Sequence, residues 1–167
     1  HLDRTGVRAY HRCVTSSPAA PPALAWQGSL LGGGAPEPDR SFERVERVLL
    51  GADAWVDVVP GWLAGADTLF AHLVDVVPWQ AHEVPMYDDV VTQPRLSAWW
   101  GAAAAGPWPD HVTPIAHALT EHYGVAFDSL GANLYRDGQD SVAWHGDRVY
   151  REQDTALVAV LTLGTAR

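Results

Sequence analysis

The apolar run Ala156-Leu157-Val158-Ala159-Val160-Leu161-Thr162-Leu163 constrains the fold more strongly than any other segment of the sequence. A short, continuous apolar run of this kind predicts a strand that is covered on both of its faces. Only Gly164-Thr165-Ala166-Arg167 follow it. We therefore expect the sheet that contains this strand to continue in residues that the sequence does not include.

The composition of the 167 residues predicts one folded domain, because 47% of them are apolar and 19% are charged. No stretch approaches the roughly 18 consecutive apolar residues that a membrane-spanning helix needs, which excludes an integral membrane protein. A single cysteine, Cys13, and an N-terminus without the pattern of a secretion signal predict a cytoplasmic location. The formal charge of −9 argues against general polyanion binding, so any contact with nucleic acid requires a local basic patch.

Turn-forming residues dominate positions 1–40 and predict a flexible N-terminal arm, with the folded domain in residues 41–167. Helical spacing predicts one helix between a capping Asp67 and Pro78, and a second between a capping Thr113 and Gly124. Strands are predicted at 55–59, 94–100, 131–135, 141–144 and 156–163. Helices followed by antiparallel strands define an α+β fold.

The tripeptide His145-Gly146-Asp147 carries the clearest chemical signal. On extended backbone, residues i and i+2 point to the same side, so the imidazole and the carboxylate can reach one metal ion. Two such ligands belong to the 2-His-1-carboxylate site of non-haem Fe(II) oxygenases. An isolated match of this kind also arises by chance, as a solvated histidine beside a turn-forming aspartate, so the surrounding sequence has to decide.

The surrounding sequence resembles the AlkB-like dioxygenases, which are Fe(II)/2-oxoglutarate enzymes that oxidatively dealkylate nucleobases. The resemblance covers roughly residues 24–167 and is strongest over 127–147. Its central match is the segment Asn133-Leu134-Tyr135-Arg136-Asp137-Gly138-Gln139-Asp140-Ser141-Val142-Ala143-Trp144-His145-Gly146-Asp147. Further matches lie upstream in the family's order: Trp26-Gln27-Gly28-Ser29-Leu30, Val77-Pro78-Trp79, Pro94-Arg95-Leu96-Ser97-Ala98-Trp99-Trp100-Gly101 and Trp108-Pro109.

The resemblance implies a role for each matching position. His145 and Asp147 would be the first two iron ligands, and Asn133 and Tyr135 would hydrogen-bond the co-substrate 2-oxoglutarate. The alternative for the second pair is an edge asparagine and a core tyrosine. Trp99 and Trp100 point to opposite faces of their strand, so one belongs to the core and the other approaches the substrate pocket. Arg95 and Arg148 would meet nucleic-acid phosphates, or else be ordinary solvated arginines.

Four departures from the family pattern accompany the resemblance. The family's third iron ligand, a histidine, and the arginine that binds the 2-oxoglutarate carboxylate lie well beyond the Asp147 position, and neither follows in this sequence. The segment between Ala102 and Gly106 is shorter than the family's nucleotide lid, and Val149 stands where many nucleobase demethylases carry an acidic residue.

We therefore expect a C-terminally truncated double-stranded β-helix, or jelly roll, with N-terminal helices and an incomplete barrel. The implied activity is iron- and oxygen-dependent repair of alkylated DNA or RNA, with single strands preferred. One alternative is a 2-oxoglutarate oxygenase acting on protein or a small molecule. The other is a non-catalytic jelly-roll pseudoenzyme.

Overall fold

Among the described residues, four short strands precede the first helix, two longer strands lie between the two helices, and one strand follows the second helix. The computed structural model describes residues 27–29, 32–86, 89–101, 107–142 and 156–165. The elements in these ranges are β1 (Glu37–Pro38), β2 (Glu46–Leu49), β3 (Trp55–Val58), β4 (Leu63–Ala64), α1 (Ala66–Val76), β5 (Gln80–Met86), β6 (Asp89–Trp100), α2 (Val112–Tyr123) and β7 (Leu130–Leu134). The mixture of helices with antiparallel strands agrees with the predicted α+β class.

Helix α1 lies where the apolar spacing predicts it, but its first turn is built differently. Gly65, not Asp67, occupies the N-cap, with φ of 63°. A Cβ at Gly65 would approach the Ala35 carbonyl oxygen to 2.5 Å, so both the dihedral and the space require glycine. Asp67 lies inside the first turn, where its carboxylate accepts a hydrogen bond from the backbone N–H of Ser29. The predicted cap is therefore wrong, and the aspartate instead attaches residues 27–29 to the helix.

Helix α2 is also confirmed, with a correction at its start. It begins at Val112 after His111, which adopts φ of 71°, so Thr113 is not the cap. Pro114 falls in the first turn, where a missing N–H has no helical acceptor to lose. At the other end Gly124 adopts φ of 67° and donates its N–H to the Thr120 carbonyl, as the sequence predicts.

The strands form three antiparallel sheets: β1 with β4, β2 with β3, and the three-stranded sheet β5-β6-β7. The predictions at 55–59, 94–100 and 131–135 are confirmed, although β6 begins earlier, at Asp89. In the three-stranded sheet, Ser97 lies opposite Asn133 and Trp99 lies opposite Gly131. This register decides which side chains share the face described below.

Two apolar clusters hold the described elements together, and α1 contributes to both. The first contains Phe42, Trp62, Leu63, Leu69, Ile115 and Ala118, with Leu69 fully buried. The second contains Val77, Trp79, Leu96 and Leu134, against which Phe70, Leu73 and Val74 of α1 pack. The second cluster therefore covers one face of the three-stranded sheet with α1.

An ion pair across the hairpin β2-β3, between a half-exposed arginine and a buried carboxylate, is linked to α2 through a tyrosine hydroxyl. Arg47 donates to both carboxylate oxygens of Asp57, at 2.6 and 2.7 Å, and its guanidinium lies 4.1 Å from the ring centre of Trp55. The Tyr123 hydroxyl donates to Asp57 at 3.0 Å. The hydrogen bond from Arg47 is the main reason that the pKa of Asp57 lies below its usual value, while burial is the main reason that the pKa of Tyr123 lies above its own. We call Arg47, Asp57 and Tyr123 the hairpin network.

The apolar run at 156–163 does not form the predicted strand in the described structure. Val160 is 81% exposed and Val158 is 59% exposed, whereas Leu163 packs against the first cluster. A strand exists through pairing of its backbone groups with a neighbour, and no strand of the described ranges pairs with this run. The prediction of a strand covered on both faces is therefore wrong here.

Two further predictions fall largely outside the described residues. Most of the predicted arm, residues 1–26 and 30–31, lies there, while the described end of the arm contains β1. Of the predicted strand at 141–144, only 141 and 142 are described. The division at residue 40 remains a prediction. Within the described ranges, no helix has the length and apolar character to cross a membrane.

Candidate functional site

The face of the three-stranded sheet that points away from the second cluster carries most of the described candidate residues. Side chains alternate along β6, so Leu96 and Trp100 join the second cluster whereas Arg95, Ser97 and Trp99 point away from it. Leu96 is 4% exposed and Trp99 is 69% exposed. Trp100 is thus the core residue of the tryptophan pair and Trp99 is the outward one. We call the surface formed by Arg95, Ser97, Trp99, Gly131 and Asn133 the open face.

The Trp99 ring lies against the neighbouring strand, over a glycine. A Cβ placed on Gly131 would come within 2.9 Å of the six-membered part of the ring. At the other end, the indole nitrogen lies 3.2 Å from the position that a Cβ on Gly101 would take. The two glycines therefore give an exposed tryptophan room to lie along the sheet surface.

Arg95 joins three segments of the chain at the edge of the open face. Its Nε donates to the side-chain oxygen of Asn133 on β7, at 3.1 Å. One terminal nitrogen donates to the Ser141 carbonyl at 3.4 Å, while the Ser141 N–H donates to the Pro94 carbonyl at 2.7 Å. Both partners of the arginine are neutral groups. We call Arg95, Asn133 and Ser141 the open-face network.

Tyr135 and the loop after it lead from β7 back toward β6. Tyr135 is half-buried and lies two residues beyond Asn133, one residue past the end of β7. Arg136 then donates to Asp140 through its backbone N–H, its Nε and one terminal nitrogen, each at 2.8 Å. The side-chain hydrogen bond to Asp140 raises the pKa of Arg136 above its usual value. This ion pair closes the loop, so that Ser141 lies beside Pro94 and Arg95 of β6.

The sequence argument did not identify these contacts of Arg95, Asp140 and Ser141. The sequence does indicate the ion pair between Arg136 and Asp140, because these opposite charges flank the turn-forming Asp137-Gly138. The Ser141 contact uses a backbone carbonyl and leaves no signal in side-chain identity.

The remaining predicted site residues, His145, Asp147 and Arg148, lie outside the described residues. In the ranges that are described, no group of three or more His, Cys, Asp or Glu side chains is placed to hold a metal ion. The structure therefore describes the predicted co-substrate residues, Asn133 and Tyr135, together with Arg95. The assignment of iron to His145 and Asp147 stays a prediction.

Comparison with known proteins supplies the family. No family model matches the chain. Curated relatives do match it, all named alpha-ketoglutarate-dependent dioxygenase alkB homolog 3. The bovine protein is 32% identical over 124 residues, which is 67% of this chain and 43% of the relative. The rat protein is 34% identical over 125 residues, or 67% and 42% of the two chains. The human protein is 31% identical over 112 residues, or 61% and 39%.

These alignments span about two fifths of the length of the relatives and about two thirds of this chain. They agree with the family resemblance that the sequence carries. The chain belongs to the AlkB-like family of alpha-ketoglutarate-dependent dioxygenases.

Proposed function

We propose that the protein acts as an Fe(II)/2-oxoglutarate-dependent dioxygenase of the AlkB type that oxidatively dealkylates nucleobases in DNA or RNA. The observation that carries the proposal is the open face, where an ordered arginine-asparagine pair lies on the same sheet surface as an exposed tryptophan. Family membership gives the oxygenase class. On the open face, the Arg95-Asn133 pair would bind a small anion, and the neighbouring Trp99 would stack on a flat ring.

The donors on the open face suit 2-oxoglutarate, which is a dicarboxylate. Because the Asn133 oxygen accepts from Arg95, the amide nitrogen is the end that is left to meet an acceptor such as a carboxylate oxygen. Tyr135 adds a phenol hydroxyl, and Arg95 keeps its positive charge next to Asn133. We assign 2-oxoglutarate binding to Asn133 and Tyr135.

We assign the iron to His145 and Asp147, whose spacing lets both side chains reach one ion. When bound there, iron would supply the redox chemistry that turns molecular oxygen and 2-oxoglutarate into an oxidant for an N-alkyl group. The chain's own contribution is to orient the co-substrate, to position the start of the segment that leads to the two ligands, and to hold the base. The proposed setting is a jelly-roll domain in residues 41–167, with the predicted N-terminal arm at 1–40 before it.

Trp99 is the proposed contact for the substrate base. Its exposed ring offers a stacking surface, and base-aromatic stacking contributes about 1–3 kcal/mol per base. A base must leave its stack to reach a buried iron, which favours single strands. The net charge of −9 limits the number of phosphate contacts, for which Arg148 is the candidate.

The test compares binding of single-stranded oligonucleotides, with and without an N-methylated base, by fluorescence anisotropy at low and moderate salt. Trp99→Ala should weaken binding by about 10-fold or more, as the loss of one stacked base predicts. Leu49→Ala is the matched control, because Leu49 is 73% exposed on the distant hairpin and is expected to have no effect.

A second candidate function is 2-oxoglutarate-dependent oxidation of a protein side chain or small metabolite, which the acidic charge favours. Succinate release that depends on such a substrate, with no binding of any nucleic acid at low salt, would replace nucleobase repair with this function. Absence of 2-oxoglutarate binding would instead favour a non-catalytic binding protein.

A further inference from the structure

We infer that Arg95 is a positioning residue of the co-substrate site: it fixes the orientation of the Asn133 carboxamide and joins Asn133 to the segment that leads to His145. The inference deepens the proposed function and depends on its assignment of Asn133. It also replaces the sequence-based expectation that Arg95 meets a nucleic-acid phosphate.

The first step concerns the orientation of the amide. A carboxamide has an oxygen that accepts and a nitrogen that donates, in nearly the same shape. The N–H of Arg95 Nε meets the Asn133 oxygen at 3.1 Å. Rotating the amide by half a turn would bring its NH₂ group against this N–H, donor against donor. Arg95 therefore selects the rotamer whose nitrogen is left for a ligand oxygen.

The second step concerns the segment that follows the loop. Arg95 donates to the Ser141 carbonyl, and the preceding residue of β6, Pro94, accepts from the Ser141 N–H. Asp140, immediately before Ser141, is 4% exposed and paired with Arg136. His145 lies four residues beyond Ser141, at most about 14 Å of extended chain. One side chain thus fixes both the co-substrate residue and the start of the path to the proposed iron ligand.

The third step concerns charge. Within the part of the chain that the structure describes, Arg95 forms no ion pair, and its two partners are a neutral amide and a neutral carbonyl. Lysine at this position would keep the charge but lose the planar fork that reaches both partners. The substitution Arg95→Lys therefore separates positioning from simple attraction of an anion.

The experiment measures 2-oxoglutarate affinity by calorimetry on the full chain in the presence of Mn²⁺, for the wild type, Arg95→Lys, Asn133→Ala and the double variant. Arg95→Lys should weaken binding about 10-fold, the usual effect of losing one hydrogen bond to a charged group. The double variant should bind no more weakly than Asn133→Ala alone, because Arg95 acts through Asn133. Arg40→Lys, in an exposed ion pair with Glu121, is the matched control and should stay within about two-fold of the wild type.

A second readout does not need the co-substrate. The ¹⁵N NMR signals of the Asn133 side-chain amide, identified by their loss in Asn133→Ala, should shift in Arg95→Lys and stay in place in Arg40→Lys. Unchanged amide signals, or strictly additive losses of affinity in the double variant, would overturn the inference. A wild-type chain that binds no 2-oxoglutarate while its Asn133 signals still respond to Arg95→Lys overturns the proposed function, but supports the contact as the structure places it.

Discussion

Arg47 and Arg95, both in the described part of the chain, bridge neighbouring antiparallel strands through partners of different charge. Arg47 meets a carboxylate directly across the hairpin, lies over an indole ring, and shares its partner with the Tyr123 hydroxyl. Arg95 meets an amide oxygen and a backbone carbonyl, at the longer distances of 3.1 and 3.4 Å. In the hairpin network the charges of Arg47 and Asp57 balance, whereas the open-face network retains the positive charge of Arg95.

The partners of the two arginines also differ in burial, and this difference predicts what each network contributes. The Asp57 side chain is 2% exposed, so its charge depends on Arg47 and Tyr123 for compensation. Asn133 is exposed and neutral, so losing Arg95 leaves it with water as a replacement partner. The hairpin network is therefore expected to contribute mainly to stability, and the open-face network mainly to binding.

The largest effect should come from Arg47→Ala. This change removes both Arg47 hydrogen bonds from the Asp57 carboxylate, whose side chain is 2% exposed, and among the described contacts leaves it the Tyr123 hydroxyl. We therefore expect it to lower the free energy of unfolding by more than any of the changes below. Urea unfolding followed by circular dichroism measures it. Arg40→Ala is the control, since both members of that ion pair are more than half exposed and the expected loss is below about 1 kcal/mol. Equal losses in the two variants would remove the distinction between the networks.

A smaller loss of stability is expected from Asp140→Ala, on the side of the open face. The change removes three hydrogen bonds from Arg136, but the freed guanidinium is 41% exposed and can be hydrated again. We expect about 1–3 kcal/mol, measured in the same urea titration. Asp140→Asn should recover part of the loss, since it keeps an acceptor for the backbone N–H. If Asp140→Ala unfolds like the wild type, the loop does not deliver Ser141 to Arg95 in the way described.

Acid should weaken the hairpin network by a smaller amount still. Because the folded-state pKa of Asp57 is lowered, its stabilising contribution is fully present above the unfolded value of about 3.9 and is lost as the pH falls below it toward the folded value. Urea midpoints at pH 6 and pH 3 should therefore converge more closely in Asp57→Asn than in the wild type. Asp39→Asn is the comparison, since Asp39 also has a lowered pKa but lies in an exposed ion pair. A pH dependence that Asp57→Asn leaves intact would assign the acid sensitivity to other carboxylates.

The elements that the sequence predicts correctly are those with a strong period and clear ends. Helix α2 has Ile115 and Ala118 on its buried side and a glycine in the left-handed region at its end. The hairpin strand β2 and the strand β5 were not predicted. β5 contains Pro85 and a register shift near Ala81, so it is recognised by its pairing with β6 and not by its own pattern. Tertiary pairing, which local sequence does not encode, decides such strands.

In the candidate site, too, the local sequence pattern predicts some features, and the others depend on tertiary packing. Strand alternation placed Asn133 on one face and separated Trp99 from Trp100, but it gave no means of choosing the outward tryptophan. That choice depends on α1 packing against Leu96 and Trp100. The contact between Arg95 and Asn133 spans 38 residues of sequence. Only the register of β6 with β7 brings the two side chains together, and no spacing rule within one element predicts it.

The smallest change in stability is expected from Arg95→Gln, and it gives the sharpest comparison with Arg47→Ala. Glutamine removes the charge and the contact with Ser141, yet it leaves no buried charge behind. Asn133 is exposed, and Ser141 remains attached to β6 because its N–H donates to the Pro94 carbonyl. The free energy of unfolding should fall by less than about 1 kcal/mol, because water can replace the lost donor at both neutral acceptors. Differential scanning calorimetry of Arg95→Gln beside Arg47→Ala measures the contrast directly. A loss as large as that of Arg47→Ala would mean that Arg95 supports the fold itself, and a weaker affinity for 2-oxoglutarate in Arg95 variants would then no longer indicate positioning of Asn133.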